Sequence, residues 1–187
     1  MKQLASSLST AFRGMCRGVE VGPAQLSDYE GVSDEAYGNR VFLRHYCVHL
    51  LGPDPARVLP RYKADKAAAR GFNGDIGLRA AQWQAELSST SSAALARRIA
   101  RKTLFAVAGL VSVNDGGWTT DRVAAASRWG EIRPDIADRL KQLVAWGLGP
   151  PMQVAASEIQ DVLEGSVAEV VAEFERQIGL WGVPGTA

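Results

Sequence analysis

The chain has 187 residues, nearly half of them hydrophobic, and a formal net charge of +1. That length supports one large or two small domains with a real core, and the balanced charge excludes bulk nucleic-acid or membrane-surface binding as its main task. Two cysteines, Cys16 and Cys47, are too few for a disulfide framework, and no run approaches the 18 apolar residues of a membrane span, so a reduced, cytoplasmic setting is expected.

Residues 2–15 show helical spacing, with Leu4, Leu8, Ala11, Phe12 and Met15 on one face. Val19-Glu20-Val21 reads as a short strand closed by Gly22-Pro23, with the glutamate pointing away from both valines. Residues 24–40 are polar and turn-rich. Residues 41–51 fit either a strand or a helix, and Gly52-Pro53-Asp54-Pro55 ends them. Ala56 to Leu59 add a turn before Pro60. Residues 62–70 are helix-prone, Gly71 to Gly77 interrupt them, and Leu78 to Leu87 form the next helix. A polar loop, Ser88 to Ser92, leads onward.

The stretch from Arg97 to Trp146 carries three helices. The first begins with Arg97, Arg98, Arg101 and Lys102 and then runs apolar almost all round to Val113, the pattern of a buried central helix. Its four cations fall within an arc of roughly 140°. Such an arc faces either solvent or phosphates. Asn114-Asp115-Gly116-Gly117 stops it. The second helix is capped by Thr119 or Thr120, with Arg122 in its first turn, where the helix dipole disfavours a cation. Pro134 starts the third. If the first two helices are antiparallel neighbours, Arg122 lies beside Val113, roughly 18 Å from Arg101 at about 1.5 Å per residue. Gly147 to Pro151 is a hinge, Met152 to Ile178 a long helix weakened at Gly165, and the last residues from Gly182 are expected to fray.

The expected fold is therefore mainly α. An antiparallel helical bundle over residues 60–187 follows a small, incomplete α/β part over residues 1–59. His45, Cys47 and His49 could not all reach one metal from a regular strand, since the ends of the run lie about 13 Å apart.

Three blocks, VEV at 19–21, HLLGPDPARVLP at 49–60 and RKTLFAVAGLVSVNDGGWTTDRVAAASRW at 101–129, resemble the later part of aminoglycoside-type nucleotidyltransferases of the DNA-polymerase-β-like superfamily. In that family an α/β catalytic domain precedes a helical one, and a nucleotidyl group passes from a nucleoside triphosphate to a hydroxyl of a small molecule. The resemblance implies Glu20 as the general base on the acceptor hydroxyl. It implies Arg101, Lys102 and Arg122 as nucleotide-binding residues, and Trp118 as a substrate-bordering one. It also implies Mg2+ and ATP, yet the family's Gly-Ser turn and Asp-x-Asp pair are not found in the sequence. A truncated protein, inactive alone, is the expectation, with residues 1–59 as the remnant of the catalytic domain. Arg40-x4-His45 and Arg44-x4-His49 also match the loose Arg-x4–6-His pattern of HEPN-type helical ribonucleases. A non-catalytic interaction module, with homodimerisation through a sheet edge or an apolar helix face, is the third alternative.

Overall fold

The computed structural model describes residues 1–16, 18–87, 92–149 and 153–182. The serine loop at 88–91, the far end of the expected hinge, the expected helix start at Met152 and the fraying expected over 183–187 lie outside the described residues. The chain divides into two compact units, Met1–Gly31 and Val32–Ala187.

The first unit contains α1 (Lys2–Ala11) and a 3-10 turn at Leu26–Tyr29. The strand expected at 19–21 is absent, and these residues are irregular. Their backbone is tied to α1 instead: the Val19 N–H donates to Ser9 Oγ at 2.8 Å, and Ser9 Oγ donates back to the Val19 carbonyl at 3.3 Å. A strand needs a ladder partner. Among the described residues the bridging consists of one isolated pair, Arg13 and Cys16, so the incomplete N-terminal part has no sheet.

The second unit is a mainly-α bundle of α2 (Asp34–His45), α3 (Lys66–Asn73), α4 (Ile76–Glu86), α5 (Ser92–Asp115), α6 (Arg122–Ile132), α7 (Ala137–Leu148), α8 (Ala156–Val162) and α9 (Ala168–Gln177). It begins at Val32, and so takes in a helix from a stretch that the polar composition marks as turn-rich. The ends of that helix explain it. Ser33 accepts the Ala36 N–H at 3.1 Å, Asp34 and Glu35 occupy the first turn, and Arg44 and His45 the last. Capping and dipole complementarity together support a helix with little apolar content. The helix reading of residues 41–51 therefore holds as far as His45, and the rest is irregular.

α5 is the central element, packed on α3, α4, α6, α7 and α9. Leu104, Val107 and Val111 are 2%, 0% and 5% exposed, as the all-round apolar pattern requires. It ends where expected, with Gly116 at φ +67° and the Gly117 N–H on the Ser112 carbonyl. The cap of α6 is Asp121, not Thr119 or Thr120: its Oδ1 accepts from Val123 and Ala124 at 2.9 and 3.1 Å. Pro134 opens a 3-10 turn, Pro134–Ile136, and α7 continues from it.

Two features depart from regular packing. α2 and α3 cross with backbone almost touching backbone: a Cβ at Gly38 would lie 2.6 Å from the Gly71 carbonyl group. Gly71 therefore does not interrupt α3, which continues to Asn73. The long C-terminal helix is divided, because a π-helical turn at Leu163–Val167, containing Gly165, joins α8 to α9. Among the described residues no helix is long and apolar enough to cross a membrane.

Candidate functional site

The implied site residues fall on both units. Glu20 lies in the 1–31 unit, exposed and outside any strand. Arg101, Lys102, Trp118 and Arg122 belong to the helical unit: the first two lie on α5, Trp118 in the turn after it and Arg122 at the start of α6.

Two of the four cations on α5 have structural partners. Arg98 pairs with Glu86. Lys102 reaches Asp75 at 2.6 Å and donates to the Phe72 carbonyl at 3.0 Å, while Arg79 takes the other oxygen of Asp75 at 2.9 Å. The Asp75 side chain is only 10% exposed. Burial raises the cost of leaving it unpaired, so Lys102 acts first as the clamp between the α3–α4 junction and α5. Arg97 and Arg101 make no ion pair among the described residues, and the aliphatic part of Arg101 lies near Gly147 of α7.

Arg122 packs back against α5 at Phe105. Its guanidinium carbon lies 5.5 Å from the centroid of Phe105, which is one helical turn beyond Arg101 on the same face of α5. Side chains on a helix lean toward its N-terminus, so Phe105 reaches back toward Arg101. α6 therefore does not simply leave Arg122 beside Val113.

Phe105 belongs to a line of aromatic rings. Phe105 and Phe72 have centroids 6.0 Å apart, Phe72 and Tyr46 5.9 Å, and Tyr46 and Trp118 6.1 Å. Trp118, in the α5–α6 turn, is 39% exposed and also meets His45 at 5.4 Å. His45 accepts the Tyr62 N–H at its Nε2, at 2.9 Å, which places the proton of the neutral ring on Nδ1. Desolvation, then the charges of Arg44 and Arg61, hold its pKa below the usual histidine value. At neutral pH the ring is neutral and its Nε2 serves as an acceptor. Arg40 packs over Tyr37, 5.8 Å from the ring centroid, and His49 sits in irregular chain after α2, so the two Arg-x4-His pairs do not form equivalent sites on one helix.

Between the aromatic rings lies a small recess of about 20 Å³, lined by Tyr46, Asp65, Phe72, Asn73, Phe105 and Trp118, among others. The sequence reading did not include Asn73, Asp65 or Tyr46. They come from separate segments, and their one shared signal is the glycine at position 109, which also lines the recess and carries no side chain to fill it.

The residues present do not fit a two-metal centre. Among the described residues no group of three His, Cys, Asp or Glu side chains could hold an ion. Comparison with protein-family models, with curated proteins and with solved structures gives no match.

Proposed function

We propose that the helical unit is the nucleotide- and substrate-holding part of a nucleotidyltransferase-like protein, which binds a nucleoside triphosphate without transferring its nucleotidyl group alone. The observation that carries this reading is Arg122 seated over Phe105, one turn from Arg101. Polyphosphate recognition would use a guanidinium from each of the two helices, Arg101 from α5 and Arg122 from α6. Trp118 stands at the other end of the aromatic line, joined to Phe105 through Tyr46 and Phe72, and would border the substrate there. Lys102 contributes mainly by holding α5 in position. Transfer needs carboxylates to hold Mg2+ against the phosphates, and among the described residues no cluster of three His, Cys, Asp or Glu side chains is present, so Glu20 as general base would have no activated nucleotide to work on.

The test has two arms. ATP should raise the melting temperature of the wild-type protein, and Arg101→Ala should abolish that shift. Arg122→Ala should reduce it. Equal shifts in all three proteins would remove phosphate binding from both arginines. In the second arm, labelled ATP with Mg2+ and an aminoglycoside panel should give no labelled product. Robust transfer lost in Glu20→Gln would overturn the claim of inactivity.

A second reading, an interaction module, draws on the segment after α2. Val48, Leu50, Leu51 and Val58 are 81%, 89%, 92% and 87% exposed, close together in the chain. A strictly monomeric mass in solution at high protein concentration would count against self-association through it.

A further inference from the structure

Residues 46–61, between α2 and α3, form a loop whose two ends are tied together. The Tyr62 N–H donates to His45 Nε2 at 2.9 Å, and the Tyr62 ring packs edge-on against His45 and Tyr37, with centroids 6.0 and 5.2 Å apart. Compact loops with joined ends are frequently functional. Pro53, Pro55 and Pro60 restrict this one, as does the 3-10 turn Pro55–Val58 capped by Asp54. Its apolar side chains nevertheless face outward. Val48, Leu50, Leu51 and Val58 are nearly fully exposed. Gly52, beside the two leucines, has φ +83°, and a Cβ there would meet nothing within 4 Å. The apolar side chains stand on a convex tip, not in the wall of a cleft.

Positive charge dominates this stretch. Residues 44–66 carry five cations, Arg44, Arg57, Arg61, Lys63 and Lys66, against two carboxylates, Asp54 and Asp65. All five cations but Arg44 are exposed, and among the described residues none of them makes an ion pair. Each carboxylate already accepts a backbone N–H as a cap. The charges of Arg44 and Arg61 both reach His45 at the foot of the loop. The net charge of +1 averages this local excess away. A second copy would bring the same excess against itself in a two-fold pairing, so self-association through this surface is opposed. A protein partner would need a groove shaped to the convex tip. A bilayer interface needs none: it is fluid, it takes up protruding apolar side chains, and an anionic one attracts basic flanks.

We propose that the 46–61 loop docks on an anionic lipid bilayer, with Val48, Leu50, Leu51 and Val58 entering the boundary between headgroups and acyl chains and Arg57 and Arg61 meeting the headgroup anions. The protein then lies on the membrane through one loop and does not cross it. This goes beyond the nucleotide reading and does not depend on it.

The test uses the whole chain without ATP. It should sediment with vesicles of about three parts phosphatidylcholine to one part phosphatidylserine, and stay in solution with phosphatidylcholine alone or in about 1 M salt. Leu50→Ser combined with Leu51→Ser should lower partition about tenfold or more. Arg57→Ala and Arg61→Ala should each weaken it about fivefold. These side chains are exposed, so the variants should keep the wild-type melting temperature. Leu4→Ser, on the exposed apolar face of α1, is the control and should bind as wild type does. In a Cys16→Ser protein, an environment-sensitive dye on the exposed Cys47 should shift to the blue on anionic vesicles. The proposal is overturned by equal binding to both vesicle types or to neither, by loop variants that bind as wild type does, by loss of binding in Leu4→Ser, or by an unshifted dye. A dimeric mass abolished by the leucine pair would assign the loop to a second copy. Binding of a polyglutamate peptide without vesicle binding would assign it to an acidic protein. Either result overturns the proposal, and neither touches ATP binding by Arg101.

Discussion

The α2–α3 crossing gives a sharp energetic test. Substitution of Gly71 by alanine places a methyl carbon 2.7 Å from Gly38 Cα and N and 2.9 Å from the Asp34 carbonyl oxygen. Carbon atoms normally pack at about 3.5–4.0 Å, so α2 and α3 must part by about 1 Å. Backbone cannot rotate away as a side chain can. Overpacking of this kind costs about 1–3 kcal/mol, and a crossing built on backbone contact belongs at the upper end. Against this stands the helix preference of alanine over glycine, about 1 kcal/mol. The expected net loss is about 2 kcal/mol, or a fall of about 4–8 °C in melting temperature for a domain of this size. Gly165→Ala is the control. Its added methyl meets nothing closer than an Arg139 nitrogen at 3.8 Å, so it should stabilise by up to about 1 kcal/mol. Urea and thermal unfolding of both variants decide the matter. If Gly71→Ala were as stable as Gly165→Ala, the close crossing would not exist. Separation of these helices should also widen the recess, because α3 carries Phe72 and Asn73 and Tyr46 follows α2 directly.

Lys102→Met should destabilise the bundle by about 3 kcal/mol, since it strips one partner from a carboxylate only 10% exposed; an unchanged urea midpoint would show that Arg79 alone satisfies Asp75. The pH response follows from His45. Its folded pKa lies below the unfolded value, so unfolding takes up a proton, and its contribution is present above about pH 6.5 and lost as pH falls from there toward the folded pKa. His45→Gln should flatten that part of the stability profile, and a profile identical to wild type would refute the assignment. At lower pH, Glu173 is held below its usual range by Arg176, Gln177 and Arg133, so stability should fall again as the solution passes below pH 4.5. Charge reversal at Arg176 should soften that second decline in a chemical-denaturation series.

The central helix was legible because its signal is local: thirteen residues of α5 are buried, and an all-round apolar run reports burial without knowledge of neighbours. The α2 helix was not, because its support lies in the Ser33 cap, the charged first and last turns, and a glycine contact with a helix 33 positions away. Gly71 shows the same limit in reverse. A glycine read as a breaker serves as a close-approach point, and only the partner backbone distinguishes the two. The valines flanking Glu20 carried strand propensity, but propensity supplies no ladder, and Ser9 took the backbone groups of Val19 instead. Arg101, Arg122 and Trp118 were singled out from sequence, but the packing of Arg122 over Phe105 was not legible, because it depends on how α6 leaves the Gly116-Gly117 turn. The recess was wholly hidden, since a gap between side chains from separate segments is a property of the packed state.

The π turn between α8 and α9 has a consequence for how this chain tolerates changes of length. An α-helix turns about 100° per residue, so a deletion inside α5 would rotate every later side chain away from its partner. A π turn accommodates one residue beyond the α-helical repeat. Deleting Gly165 would close Leu163–Val167 into plain α-helix while Ile159 and Val162 on one side, and Val170 and Phe174 on the other, keep facing the core. The last helix thus contains a spare residue, and its two halves are phased separately, each to its own part of the bundle.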